Sequence, residues 1–230
     1  MNATPCNAVN PTLALQSAIA SKKNISTVQE LLEQGADPNC KDSSGYSVFN
    51  RAVTNKSLKI VQLMLEHGAN LHVHHRSYPH LYEACRFEAP KIVDLLLKHG
   101  ADPNVRARST MPLQYPIEIA MYVRHPKIVQ SLLAHGAKVR DMPGMGNLLK
   151  ISVDGLGHEF SRRGGQLDKV CAILKMLIAH EPTYQAILAQ QRDQLVRLMV
   201  DGFPKMQRDA FKSEAAKNQK DFEALLDFIG

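Results

Sequence analysis

Glycine recurs in this chain at a spacing that a single irregular core does not produce. Gly35, Gly68, Gly100 and Gly136 are separated by 33, 32 and 36 residues. Each ends a similar stretch: Leu31-Leu32-Glu33-Gln34-Gly35-Ala36-Asp37-Pro38-Asn39, Met64-Leu65-Glu66-His67-Gly68-Ala69-Asn70, Leu96-Leu97-Lys98-His99-Gly100-Ala101-Asp102-Pro103-Asn104 and Leu132-Leu133-Ala134-His135-Gly136-Ala137. Sixteen residues before the last three glycines stands an alanine (Ala52, Ala84, Ala120), preceded at minus three by Phe49, Leu81 or Ile117. Leu15 and Ala18 take those parts in the first unit, with one residue inserted. A unit of this length cannot bury its own apolar face, so the units must stack on one another.

Each unit reads as two helices. The first surrounds the alanine, a small residue where two helices approach closely. The second carries an apolar stripe at helical spacing: Ile60, Val61, Met64 and Leu65, then Ile92, Val93, Leu96 and Leu97, then Ile128, Val129, Leu132 and Leu133. Pro90 and Pro126 stand at the start of this helix, where a missing N–H costs nothing. Asn24 and Ser57 are placed as N-caps in the units that lack the proline. The glycine is expected to close the helix with positive φ.

These residues resemble the ankyrin-repeat family. Its Thr-Pro-Leu-His-x-Ala stretch has altered counterparts in Ser47–Ala52, Pro79–Ala84 and Tyr115–Ala120, and its Ile-Val-x-x-Leu-Leu-x-x-Gly-Ala-Asp-x-Asn ending is matched more closely. The resemblance covers about residues 13–140 and implies an all-α solenoid with short finger loops. Past Ala137 the pattern degrades. Residues 141–182 read as a divergent fifth repeat, with Ile173–His180 as its second helix, Glu181 in the glycine's place and a glycine-rich insertion over about 153–166. Residues 183–230 carry further helical stripes, including Tyr184, Ile187, Leu188 and Leu195, then Phe211, Phe222, Leu225 and Ile229. They read as a helical cap or a small helical module.

No motif for chemistry emerges. His67, His99, His135 and His180 share one repeat position, where a polar or cationic side chain faces a helix C-terminus. His72, His74, His75 and His80 lack a complete ligand set with a second shell and read as a polar contact surface. His158-Glu159 has no second histidine to make a zinc-protease helix, and neither a phosphate-binding glycine loop nor Gly-x-Ser-x-Gly is present. Cys171 lies in an amphipathic stretch and is expected in the core. The four cysteines are scattered without a CxxC pair, which fits a reduced, cytoplasmic compartment. No catalytic residue, metal or cofactor is assigned, and no apolar run approaches the roughly 18 residues of a membrane span.

The resemblance implies binding through finger tips and the exposed face of the first helices. The fingers supply Lys41, His72, His74, His75, Arg76, Arg106, Arg108 and Arg140, and the third is lengthened over Arg106–Tyr115. The first helices supply Arg51, Thr54 and Asn55, then Glu83, Arg86 and Phe87, then Ile119, Tyr122 and Val123. The expected site is a groove with an apolar middle at Phe87, Ile119 and Tyr122, rimmed by Arg51, His74, Arg76, Arg86, Arg106, Arg108 and Arg140. Cover of Tyr122 and Val123 by the fifth repeat is the alternative.

Charge narrows the partner. Residues 1–140 hold 16 Lys and Arg against 10 Asp and Glu, whereas residues 141–230 hold 12 of each, so the net charge of +6 sits wholly in the first part. An acidic protein surface or segment suits it. Nucleic acid is disfavoured, because aromatic residues are not interleaved with the basic ones and Trp is absent. The expected function is that of a monomeric adaptor or scaffold. A microbial effector acting on a host protein, or an enzyme within residues 141–230, is the competing reading.

Overall fold

The computed structural model describes residues 10–21, 24–41, 45–72, 78–108, 113–139 and 167–182, with the single positions 224 and 227. Every regular element among them is a helix. In chain order they are α1 (Pro11–Ala20), α2 (Ile25–Glu33), α3 (Val48–Thr54), α4 (Leu58–Glu66), α5 (His80–Arg86), α6 (Pro90–Lys98), α7 (Pro116–Tyr122), α8 (Pro126–Ala134) and α9 (Leu167–His180). The all-α expectation holds. The chain divides into two compact units, Met1–Pro116 and Ile117–Gly230.

In the first unit a first-type helix packs on its own second helix and on the first-type helix of the next pair. Thus α1 packs on α2 and α3, α3 on α4 and α5, and α5 on α6. The second helices form a parallel row, α2 on α4 and α4 on α6. Ala18, Ala52 and Ala84 are buried where the first helices approach, and Leu15, Phe49 and Leu81 are buried one turn earlier. A larger side chain at such an alanine would force the helices apart, at about 1–3 kcal/mol. Val61, Met64, Ile92, Val93, Leu96 and Leu97 fill the second layer.

Local rules set the helix ends. Pro90 and Pro126 occupy the first helical positions as expected. Asn24 caps α2, its side-chain oxygen accepting from Ser26 N at 2.7 Å. Ser57 sits at the N-cap of α4, but its side chain makes no capping bond, so that expectation fails. Gly35, Gly68, Gly100 and Gly136 all close their helices with φ of 83–86°, in the left-handed region that glycine reaches without a Cβ clash. Beyond Gly68 and before it, Asn39 bridges two repeats: its side chain donates to Gly68 O at 3.1 Å and accepts from Asn70 N at 2.7 Å.

In the second unit α9 packs on α8, burying Ile173, Leu174, Leu177 and Ile178 together with Cys171. The expected core role of Cys171 holds. The insertion 153–166 and the helical end 183–230 lie outside the described residues, apart from positions 224 and 227.

The turn between the helices of three pairs contains a non-glycine residue at positive φ: Lys56 at 57°, Glu88 at 52° and Arg124 at 55°. Lys56 and Glu88 are exposed, whereas Arg124 is buried. A left-handed non-glycine residue costs about 1–2 kcal/mol, part of which glycine returns through its freer unfolded chain. Lys56→Gly and Glu88→Gly are therefore expected to stabilise the protein by about 0.5–1 kcal/mol each in denaturant unfolding. Arg124→Gly, which also removes a buried side chain, is expected to destabilise it.

Candidate partner-binding surface

Backbone pairing closes the base of two fingers. Lys41 and Ser47 form an antiparallel bridge, and the Gln16 side chain donates to Lys41 O at 2.8 Å, tying that finger to α1. Ala107 N donates to Gln114 O at 2.7 Å across the lengthened finger. Arg106 is exposed, and its Nε donates to the Gln114 side chain at 2.6 Å. Arg108 is exposed as well. His74, Arg76 and Arg140, all expected at the rim, lie outside the described residues.

The expected site residues divide sharply when their helices are placed. On α3, Arg51 is half-buried and lies 5.6 Å from the centre of the Tyr46 ring. Asn55 turns inward instead of lining a groove, donating to Ile19 O of α1 at 3.3 Å. The end of α5 is where expected residues meet. The Arg86 guanidinium lies 4.8 Å from the Phe87 ring centre and 5.8 Å from that of Tyr78. Its Nε donates to the Glu83 carboxylate at 3.0 Å, with the Arg86 side chain 46% exposed and that of Glu83 only 6%. Tyr78 stacks on Tyr82 at 5.5 Å, and the Tyr82 hydroxyl donates to Leu113 O at 3.0 Å, anchoring the cluster to the third finger.

Three further expectations are corrected. Ile119, assigned to the apolar middle of the groove, is 3% exposed and belongs to the core. Residues 116–121 of this seven-residue helix are all buried, which leaves little of it for a partner before Tyr122. Glu83 is buried beneath Arg86 and does not project into a groove. His80 is not part of an exposed histidine surface: it is 2% exposed, lies edge-on to Phe49 at 4.8 Å and has its Nδ1 3.3 Å from the Asn50 side-chain oxygen. Tyr122, at the end of α7 in the second unit, is 52% exposed, so the fifth repeat does not cover it among the described residues.

Tyr46 and Tyr78 were not anticipated in the site. Each stands six residues before the alanine of its first helix, and each has an arginine beside its ring. The signal was present as a matching repeat position. Gln114 holds the same position in the next unit and pairs with Arg106. The histidine position before the closing glycine behaves as expected at His135, whose Nδ1 lies 2.8 Å from Ser131 O in the last turn of α8. Among the described residues no group of three His, Cys, Asp or Glu side chains is placed to hold a metal ion, and no helix is long and apolar enough to cross a membrane. Cys85 is fully enclosed, and burial pushes its thiol well above the usual range, which removes the thiolate that reactivity would need.

Burial also raises Glu83 above the ordinary carboxyl value of 4.5, and the Arg86 charge and hydrogen bond offset this only in part. A carboxyl raised in the folded state holds its proton more tightly there than in the unfolded chain. Its contribution to stability is greatest in acid and is lost as pH rises through the folded value. Glu83→Gln, which keeps an acceptor for Arg86 without the charge, is expected to melt higher than the native protein at neutral pH. That difference should vanish in mild acid, as thermal unfolding across pH would register.

The first three helix pairs and the start of the third finger coincide with a family match. Residues 15–107 match the family model of ankyrin repeats, in three copies. Among curated proteins, the 2-5A-dependent ribonuclease of Mus musculus is 44% identical over 52 residues, which are 22% of this chain and 7% of that protein. The chain thus spans only a small part of the relative it matches. The helix pairs of residues 15–107, with their buried alanines and their closing glycines, are ankyrin repeats.

Proposed function

We propose that the chain is an adaptor or scaffold that binds an acidic surface or segment of a partner protein through the first-helix side of its repeats. Ankyrin repeats are in general protein–protein interaction modules, so binding is the broad function of the array. The observation that carries the finer reading is Arg86: a half-exposed guanidinium beside two aromatic rings, on a helix packed against the one that bears Arg51, which itself lies beside the Tyr46 ring.

Arginine and aromatic side chains held in place lose little freedom when a partner arrives, which is why they dominate interface energetics. The positive excess of residues 1–140 favours approach by an acidic surface. A cytoplasmic, monomeric protein is the setting this reading assumes, in keeping with its scattered thiols.

The full chain, the Arg51→Glu/Arg86→Glu variant and an Arg51→Lys/Arg86→Lys variant can be compared in affinity capture from cell extract. A set of acidic proteins held by the native chain, reduced with lysine and lost with glutamate, is the expected result. Identical captures by all three would sink the assignment of this face.

A further inference from the structure

The Arg86 site carries more detail than a preference for acidic partners. A guanidinium offers two forks for a planar anion, one at its side and one at its end. The side is engaged, because Nε donates to Glu83 at 3.0 Å. Among the described residues the two terminal nitrogens make no hydrogen bond, and the side chain is 46% exposed. The end fork is therefore unengaged, on a side chain that is partly open to solvent. The Tyr78 and Phe87 rings lie 5.8 and 4.8 Å from the guanidinium carbon and restrain its plane.

Glu83 has a second consequence. A carboxylate only 6% exposed sits behind the guanidinium and cancels much of its charge at close range. The pair is close to neutral, so an incoming anion is held by hydrogen bonds to the guanidinium and repelled by the enclosed carboxylate, and a doubly charged phosphate meets about twice the repulsion that a carboxylate does.

We propose that Arg86 is a receptor for a single carboxylate side chain, Asp or Glu, in a segment of a partner protein, and that Glu83 is the positioning residue that makes it prefer a carboxylate over a doubly charged phosphate. The proposal rests on the acidic-partner reading above and gives it a chemical selectivity. Arg86 binds the incoming carboxylate through its end fork, and a neighbouring apolar side chain of the segment covers Phe87. Glu83 acts through its hydrogen bond to Arg86. It holds the guanidinium in register and sets how much anionic charge the site accepts.

The test uses the full chain and an immobilised library of short peptides with random flanks and a fixed centre of Glu, phosphoserine or Gln. The native protein is expected to retain Glu-centred peptides over both other sets. Arg86→Gln should remove the preference for Glu over Gln, by about tenfold or more in affinity. Arg86→Lys keeps the charge without the fork and should lose part of it. Glu83→Gln should shift retention toward phosphoserine while Glu-centred peptides remain bound. A Glu preference that survives in Arg86→Gln overturns the receptor and leaves the acidic-partner reading standing. An unchanged ratio of Glu to phosphoserine in Glu83→Gln overturns the role of Glu83. Absence of any Glu preference in the native chain overturns both this proposal and the reading beneath it. Thermal melting of each variant shows that it is folded.

Discussion

Everything described in the first unit depends on how closely α1, α3 and α5 approach. Ala18, Ala52 and Ala84 are buried at that approach, and each leaves room for the next helix where a larger side chain would not. The gain is apolar burial by the flanking Leu15, Phe49 and Leu81 and by the second-helix stripes behind them. No helix pair holds this surface away from water alone, so its stability is shared with its neighbours. The Asn39 side chain adds a polar link in the same direction, satisfying a carbonyl and an N–H of the following repeat.

The same stacking shapes the proposed binding surface. When α5 packs between α3 and α6, the side chains of residues 80–85 become buried, and exposure returns only at Arg86 and, in part, at Phe87. Of α5, the helix end is therefore the part that a partner can reach. Glu83 lies just inside this limit and Arg86 just outside it. A buried carboxylate thus comes to hold an exposed guanidinium from below, and the local charge of the site is smaller than a count of surface arginines suggests.

The array was legible in the sequence because its signals are local. A closing glycine needs only positive φ, a first-turn proline needs only a missing N–H, and both fall where the period places them. The exposure of first-helix residues was less legible. A residue beside the alanine can face a partner, the next repeat or the core, and heptads or stripes do not separate these over seven residues. Ile119, Asn55 and Glu83 turn inward for that reason, whereas Arg86 is exposed and Phe87 partly so at the helix end. Tyr46 and Tyr78 were visible as a repeated position but carried no chemical motif, and only the rings' proximity to Arg51 and Arg86 gives them a role.

The central claim is that binding occurs on the first-helix and finger side of the stack, centred on α5. Amide hydrogen exchange of the full chain, with and without a retained Glu-centred peptide, tests it most directly. The account predicts slowed exchange at the finger containing Lys41 and Ser47 and from Tyr78 to Phe87, with α2, α4 and α6 unchanged. Protection confined to α2, α4 and α6 would contradict it.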